Sequence, residues 1–321
     1  MKNYLLPLLA MLLSADVLAQ EELIKFADFE QWLQRDIKES GIIGGATKTL
    51  FEIAPEAHWT KSNGKQNKAY TNQGGSPWAT SNVYARVSGI NKTNASVYRD
   101  THDNGYCARL ETHVEKVKVL GMINISVLAS GSIFTGDMIE PITNTDNPMS
   151  KMNLGIPYTR RPKAIKLDYK VKLTGEPNRI RQTGFSKVTT VPGKDMPEVI
   201  VILQQRQEDE DGNIIAKRVG TMVCDFPEST NGWVEGRQFT INYGNITSQP
   251  FFKKKMDLFK GDASIYARNS KGKLVPIRED GWAEENATPT HAIVKFDSSS
   301  GGAYVGSVGT TLWVDNVKWV Y

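Results

Sequence analysis

Alternation of apolar and polar residues is the strongest pattern along this chain, and it predicts β-strands. From Ile165 to Leu173 every second residue is apolar, and most of the residues between them are charged. The run from Tyr106 to Val119 also alternates. Such strands bury one face and expose the other, as antiparallel sheets allow. Several runs of this kind, separated by turn residues, predict an all-β antiparallel sandwich.

Other runs predict central strands and the turns that connect them. Residues 198–204 are apolar on both faces, as expected in the middle of a sheet. Asp211-Gly212 is a two-residue hairpin signal, and a second hairpin is predicted around Asn269–Gly272. The segments 291–296 and 312–317 are predicted to be the last two strands.

Two segments depart from this pattern. Residues 28–40 carry Phe29, Leu33 and Ile37 at a spacing of four, which predicts a short N-terminal helix. Residues 54–82 are polar and rich in Gly, Asn, Lys and Trp, and they predict a long excursion over the surface. Long irregular segments in compact domains are often functional. Because no linker or repeat is found, we expect a single elaborated domain over residues 20–321.

The N-terminus has the pattern of an export signal. Lys2 is followed by the apolar run Leu5–Leu13, and Ala19 is a small residue before Gln20. The run is too short to cross a bilayer, and no later segment approaches the roughly 20 apolar residues that a membrane helix needs. We therefore expect residues 1–19 to be a signal peptide, cleaved near Ala19-Gln20. The mature protein is expected to be periplasmic, secreted or at the cell surface.

Charge and cysteine content narrow the remaining classes. The net charge is +4 over 321 residues, and charges of both signs are interspersed. This balance argues against a nucleic-acid partner. Cys107 and Cys224 are too few for a disulfide framework. Because each lies in a strand-like run, we expect two buried thiols.

Several short segments, in order along residues 78–321, resemble a known family. They are Trp78–Asn82, Gly105–Thr112, Gly131–Asp137, Gly155–Tyr158 with Arg161-Pro162, Asp297–Ser299 and Asp315–Val317. On these segments the chain is identified as a member of the Putative carbohydrate metabolism domain family of exported Bacteroidetes proteins. The resemblance implies a jelly-roll β-sandwich like those of carbohydrate-binding modules. It implies no reaction and no catalytic residues.

A carboxylate pair is the remaining route to catalysis, since G-x-S-x-G, H-E-x-x-H and phosphate-loop motifs are absent. Glycoside hydrolysis needs two carboxyl groups about 5 Å apart for retention, or about 6.5 to 9.5 Å apart for inversion. Glu111 and Asp168 lie on predicted solvated strand faces and could form such a pair. The neighbouring Arg109, Lys166 and Lys170 support the alternative of ordinary cross-strand ion pairs.

Aromatic residues in and beside the 54–82 segment support sugar binding. Pyranose rings pack their apolar faces on flat aromatic side chains, while charged and amide groups bond the hydroxyls. The predicted ligand-binding residues are Trp59, Tyr70, Trp78 and Tyr84, with Arg86 and Arg109 as hydrogen-bond donors. By contrast, Trp32, Trp313 and Trp319 are expected to serve packing.

A structural calcium ion is the one cofactor that the chain suggests. Carbohydrate-binding jelly rolls that tie their first and last strands with calcium begin with a Phe-Glu pair and end with an aspartate before a valine. Phe29-Glu30 and Asp315-Asn316-Val317 are similar. The resemblance therefore implies Glu30 and Asp315 as calcium ligands, although Ca²⁺ needs several more oxygens.

Together these features favour an exported protein that binds a glycan or polysaccharide without transforming it. One alternative is a glycoside hydrolase or related polysaccharide-active enzyme. Another is a structural or adhesive surface protein, which would expose a flat apolar patch.

Overall fold

The structure, a computed structural model, describes residues 20–60, 67–119, 123–144, 147–184, 187–261 and 265–321. Within these residues the chain forms 27 β-strands, numbered β1 to β27 in chain order. Three short 3-10 helices lie at Gly41–Ile43, Pro148–Lys151 and Lys254–Met256. The predicted all-β class is therefore confirmed, and jelly-roll connectivity stays a prediction. The predicted signal peptide, residues 1–19, lies outside the described residues.

Six strands form the first sheet. They are β1 (Glu21–Leu23), β8 (Val97–His102), β9 (Gly105–Glu111), β15 (Ala164–Lys172), β21 (Val234–Thr240) and β27 (Thr311–Val320). The order across the sheet is β21-β15-β27-β9-β8, and β1 pairs with β27. Every pairing in this sheet is antiparallel. The strand order places the final strand, β27, at the centre of the sheet.

Ten strands form the second sheet. They are β5 (Trp78–Thr80), β12 (Ser132–Met138), β13 (Met152–Leu154), β14 (Ile156–Pro157), β19 (Glu198–Glu208), β20 (Ile214–Asp225), β22 (Asn242–Tyr243), β23 (Tyr266–Arg268), β24 (Leu274–Trp282) and β25 (His291–Asp297). The main path is β13-β12-β25-β19-β20-β24-β23, and only β20 and β24 pair in parallel.

The remaining strands form four small sheets. They are β2 (Trp32–Lys38), β3 (Thr47–Ile53) and β4 (Ala57–Trp59); β6 (Val83–Val87) and β7 (Ile90–Asn94); β10 (His113–Val119), β11 (Ile123–Ala129) and β17 (Thr183–Gly184); and β16 (Asn178–Arg181), β18 (Thr189–Pro192) and β26 (Val305–Gly306). We call the sheet of β2, β3 and β4 the N-terminal sheet.

The two large sheets pack against each other over one hydrophobic core. Leu110, Ile165 and Val314 of the first sheet are buried there with Val201 and Phe296 of the second. Full burial of side chains of this size stabilises the fold by about 1.5–3 kcal/mol each. Because strand residues alternate between faces, the first sheet presents its other residues on the opposite side, which we call the outer face.

Most strand predictions are confirmed. β15 matches the predicted alternating run, and β19 lies between β25 and β20, as expected of a segment that is apolar on both faces. Gly212 has a φ of 87° in the turn between β19 and β20, a conformation that favours glycine. The predicted run 106–119 is divided at Thr112, because β9 and β10 belong to different sheets. Both cysteines are free thiols, and Cys107 is the fully buried one.

The predicted N-terminal helix is wrong. Residues 32–38 form β2, with Leu33, Arg35 and Ile37 buried on one face. A spacing of four residues suits one face of a helix, but it is also an even number and so suits one face of a strand. Trp32 and the pairing of β2 with both β3 and β4 decide for the strand.

The segment 54–82 is also not simply a surface excursion. It contributes β4 and β5, and Tyr70 and Trp78 within it are 5% and 0% exposed. Tyr70 fills a small core beside the N-terminal sheet, and Trp78 is part of the main core between the large sheets. The favourable free energy of removing these rings from water buries them, although most of the residues around them in the sequence are polar.

Candidate functional site

The outer face of the first sheet carries a row of alternating aromatic and cationic side chains. Strand register places Tyr98 opposite Arg109, Arg109 opposite Trp313, and Trp313 opposite Lys170. The Arg109 guanidinium lies 4.3 Å from the centre of the Tyr98 ring, and the Lys170 ammonium lies 4.2 Å from the centre of the Trp313 ring. We call these four residues the Trp313 row.

A second indole approaches the same lysine. Trp233, in the loop before β21, has its ring centre 5.4 Å from the Lys170 ammonium. Trp233, Trp313 and Lys170 are all partly exposed. Among the residues that the structure describes, no carboxylate lies within ion-pair distance of this ammonium. The arrangement therefore offers two aromatic rings and one available cation at the surface.

Carboxylates hold the other half of the row. Asp100 accepts a hydrogen bond from the Trp313 indole N–H at 2.9 Å and forms an ion pair with Arg109, whose Nε lies 3.2 Å away. Arg109 also pairs with Glu111. Burial of Asp100 opposes ionisation, but the bond from Trp313, the Thr101 amide and the nearby positive charges outweigh it and lower the pKa of Asp100. The orientation of the Trp313 ring is thereby fixed.

A buried histidine lies beside this row. His102 Nδ1 is 2.6 Å from Asp315 Oδ2, and its Nε2 is 3.2 Å from Glu235 Oε1. Trp233 stacks on the imidazole with ring centres 3.7 Å apart. Because both ring nitrogens face carboxylates, the doubly protonated imidazolium satisfies both bonds. Burial opposes this charge, but the bonds to Asp315 and Glu235 prevail and raise the pKa of His102.

Asp315 is directly opposite Asp168 on the neighbouring strand. Burial and the charge of Asp168 raise the pKa of Asp315 to about 6, against the opposing bond from His102. Asp168 accepts hydrogen bonds from the Gly236 amide and from Asn316 Nδ2. Opposed residues have Cβ atoms about 5 Å apart, so the two side chains are neighbours on the outer face. Both carboxylates are buried, however, and their partners already occupy them.

The predicted catalytic pair is far apart. Glu111, on β9, is opposite Thr311 of β27. Asp168, on β15, is opposite Asp315 of the same strand, four residues beyond Thr311. The two carboxylates therefore lie on strands that flank β27 on opposite sides. Standard strand spacings then put their Cα atoms about 16 Å apart. Glu111 forms an ion pair with Arg109, the alternative that the sequence left open. The geometry does not support Glu111 and Asp168 as a pair.

Most of the predicted ligand-binding aromatic residues are buried. The Trp78 ring lies between those of Phe29 and Phe296, and its indole N–H donates to the Lys25 carbonyl. Tyr70 packs under Arg35, and Tyr84 is 6% exposed. These three rings are structural, because a ligand could not reach them without displacing the core. This part of the prediction is corrected.

The other three predicted residues lie in three different sheets. Trp59 is half-buried in the N-terminal sheet with Lys68 over its ring, and Arg86 is exposed on β6. Of the predicted ligand-binding set, Arg109 is the one that lies on the outer face. The prediction thus found one member of the Trp313 row.

The predicted calcium ligands make other bonds. The Glu30 carboxylate accepts from the Tyr106 backbone N–H at 3.1 and 3.3 Å, and Asp315 is bonded to His102. Within the described part of the chain, no three His, Cys, Asp or Glu side chains are grouped as metal ligands. The calcium site stays a prediction.

Sequence reasoning missed Trp313, Trp233, Lys170 and His102 as members of one site. For Trp313 a signal was present, because the buried Leu312 and Val314 on either side place it on the opposite face. Trp32 and Trp319 are buried as expected, whereas Trp313, also expected to serve packing, is only partly buried. His102 reaches Asp315 across 213 positions of sequence, a contact with no local signal.

The chain belongs to the Putative carbohydrate metabolism domain family, whose sequence model matches residues 47–259. This match begins earlier and ends sooner than the segments that carried the resemblance, and it spans more than half of the chain. No curated protein matches the sequence. Along the described residues no helix is long and apolar enough to cross a membrane.

Several solved structures are similar to this chain, including two from Bacteroides species. One is a putative glycoside hydrolase from Bacteroides thetaiotaomicron, with 18% identity and a TM-score of 0.44, covering 72% of this chain and 58% of that one. The other is a putative glycoside hydrolase from Bacteroides vulgatus, with 13% identity and a TM-score of 0.42, covering 94% of this chain and 95% of that one. The chain therefore spans less than two thirds of the first structure.

Proposed function

We propose that this protein is exported and binds a glycan on the outer face of its first sheet, without cleaving it. The observation that carries the proposal is the pair of partly exposed indoles around Lys170. Indole faces suit the apolar face of a pyranose ring, and an ammonium suits its hydroxyls or a carboxylate. Membership of a carbohydrate-metabolism family supports the same class of ligand.

Rigidity of the row also supports binding. Asp100 holds the Trp313 indole N–H, and His102 stacks on Trp233, so both rings have limited freedom before a ligand arrives. A preorganised surface loses less conformational entropy on binding. The Trp313 row crosses four neighbouring strands of the first sheet. Because strands lie about 4.8 Å apart, the row is long enough to accept more than one sugar unit.

The test is a matched pair of tryptophan variants, Trp313→Ala and Trp59→Ala. In both places a lysine ammonium lies 4.2 Å from the indole centre, and both indoles are partly exposed. Affinity electrophoresis in gels that contain plant, host or microbial polysaccharides identifies a retarding glycan for the wild type. We expect Trp313→Ala to weaken that binding at least about tenfold, or 1.4 kcal/mol, and Trp59→Ala to leave it unchanged.

The contrary results are specific. If Trp59→Ala abolishes binding and Trp313→Ala does not, the site lies at the N-terminal sheet, as the sequence alone predicted. If no polysaccharide in the panel retards the wild type, glycan binding is contradicted. Circular dichroism of each variant separates loss of the site from loss of the fold.

Hydrolysis is the second candidate function, favoured by the opposed positions of Asp168 and Asp315 on neighbouring strands. A substrate would have to displace His102, which now occupies Asp315. Reducing-sugar release from the retarding polysaccharide tests this function. Release by the wild type and not by Asp315→Asn would support it, and absence of release would leave binding as the function.

A further inference from the structure

A pocket of about 820 Å³ lies against the second sheet and shares no lining residue with the outer face. Its walls come from two segments, residues 241–251 and 282–285. Pockets that hold small molecules commonly have volumes of about 300–1,000 Å³. The proposed function does not use this pocket.

Three aromatic side chains line the pocket: Tyr243, Phe251 and Trp282. The Arg161 guanidinium lies 4.1 Å from the Tyr243 ring centre, and Arg218 lies 5.6 Å from the Trp282 ring centre. Each arginine packs against one of these rings, and both rings are partly exposed and line the pocket. The Tyr243 hydroxyl donates to the Pro162 carbonyl at 2.7 Å, which holds that ring in place.

Phe251 is an unusual member of this wall. It is 43% exposed, and it lies within the turn that the Phe252 amide closes by donating to the Gln249 carbonyl. An exposed phenylalanine has no polar atom that water could satisfy, so its exposure has a cost that a ligand would remove. The ring is therefore a candidate contact for an apolar ligand face.

The polar lining consists of acceptors and amides. Asn242, Gln249, Glu284 and Glu285 line the same space, and in the described residues neither glutamate forms an ion pair. Arg161 donates to the backbone carbonyl of Glu285 at 2.6 Å, which anchors this segment beside Tyr243. Carboxylates and amides in this arrangement can accept hydrogen bonds from hydroxyl or ammonium groups.

The charges of the pocket select against anions. Of the two nearby arginines, Arg218 is paired with the buried Glu279, whereas Arg161 donates to neutral backbone carbonyls and keeps its charge, which offsets at most one of the glutamates of the lining. The lining itself carries two glutamates and no lysine or arginine. A phosphate or a uronic acid would meet like charge there, whereas a neutral or positively charged ligand would not.

We propose that this pocket is a second saccharide-binding site, which takes a sugar unit that is neutral or carries an amine. The proposal rests on the proposed function for its ligand class and adds a separate place and a charge preference. Aromatic faces would hold the ring of the sugar, Asn242 and Gln249 its hydroxyls, and Glu284 and Glu285 an ammonium where one is present.

Isothermal titration calorimetry with three tetrasaccharides of different charge tests the site. The probes are tetramers of glucosamine, of N-acetylglucosamine and of galacturonic acid. We expect the wild type to bind the first two at concentrations below about 10 mM and to bind the glucosamine tetramer more tightly. Galacturonic acid binding, where it occurs, should be lost in Trp313→Ala and not in pocket variants.

Two single variants and one double variant locate the binding. Phe251→Ala removes an exposed ring and should fold normally, and Trp282→Ala removes the opposite wall. Each should weaken binding of the first two probes at least about tenfold. Glu284→Gln/Glu285→Gln should weaken glucosamine binding about threefold or more and leave N-acetylglucosamine binding unchanged. Val308→Ala, at an exposed residue outside the pocket, is the control.

The outcomes separate this site from the outer face. If Phe251→Ala, Trp282→Ala and the double glutamine variant leave all affinities unchanged, or if the wild type binds neither amino-sugar tetramer, the second site is refuted. If Trp313→Ala retains polysaccharide binding while Phe251→Ala loses it, the outer-face proposal fails and the pocket proposal stands.

Discussion

The N-terminal sheet and the outer face use the same pairs of residues for different purposes. Each has a lysine over a tryptophan and an arginine over a tyrosine. Each arginine also pairs with two carboxylates. The side chain of Arg35 is 1% exposed, whereas that of Arg109 is 27% exposed. Burial, rather than residue type, separates a structural cluster from a surface that a ligand can reach.

The buried cluster is held by Arg35. Its guanidinium donates to Glu52 at 2.9 Å and to Glu140 at 2.6 and 2.8 Å, and all three side chains are at most 2% exposed. Glu140 also accepts from the amides of Tyr70 and Tyr84, so one carboxylate connects segments far apart in sequence. A buried charge in this position is costly unless it is paired.

Removal of the arginine gives the largest expected difference between the two regions. Arg35→Met leaves two buried carboxylates without a cation and should lower the free energy of unfolding by about 3–5 kcal/mol. Arg109→Met, the matched change on the outer face, should cost no more than about 1 kcal/mol, because exposed ion pairs contribute little. Urea denaturation of both variants measures the difference. Equal losses would contradict the comparison.

The second prediction concerns pH and Glu52. Burial, together with the charge of Glu140, raises the pKa of Glu52 from 4.5 to about 7 in spite of Arg35. Its contribution to stability is therefore present below about pH 4.5 and is lost as the pH rises through about 7. The loss should be on the order of 3 kcal/mol. Glu52→Gln should remove this part of the dependence, and an unchanged pH profile in the variant would refute the assignment.

The third prediction is the equivalent pH effect on the outer face. Since the folded pKa of His102 is raised above 6.5, its contribution is present below about pH 6.5 and lost as the pH rises through the folded value. Deprotonation leaves Asp315 and Glu235 without a shared cation. His102→Gln should remove this dependence, with a smaller effect than Glu52→Gln, and an NMR titration of the imidazole protons reports the pKa directly. A folded pKa below 6.5 would contradict the doubly protonated state.

The smallest expected effects come from the two lysines. Lys68→Gln and Lys170→Gln should each lower the free energy of unfolding by about 0.5–1 kcal/mol, the usual range for an exposed cation–π contact. Only Lys170→Gln should also weaken glycan binding, since its ammonium lies between two indoles. A binding loss in Lys68→Gln and none in Lys170→Gln would reverse the assignment of the two regions.

Local pattern was sufficient for much of the fold. The alternating run of β15, the central strands β19 and β25, and the hairpin at Gly212 were all predictable, because each depends on neighbours in sequence. β2 was not predictable, because its spacing of four fits a helix and a strand equally well, and the burial of Trp32 and the pairing with β3 and β4 decided between them. The carbohydrate-related family was also evident from short segments of sequence.

The candidate site was less accessible to such reasoning. Arg109, Asp168 and Asp315 were named, but as members of three different sites. Trp78 was expected to bind a ligand because its neighbours are polar, yet Phe29 and Phe296 enclose it. Polar neighbours in sequence do not report which residues pack on a ring from distant strands.

What the amino-acid sequence determined by itself is the set of strands, their two unlike faces and the family. The tertiary structure alone decided which face is covered by the second sheet, and which residues stand opposite one another. The physical reason is that alternation has a period of two and distinguishes faces, whereas the register between distant strands depends on long-range packing. That register brings Asp168 opposite Asp315 and places Lys170 beside Trp313.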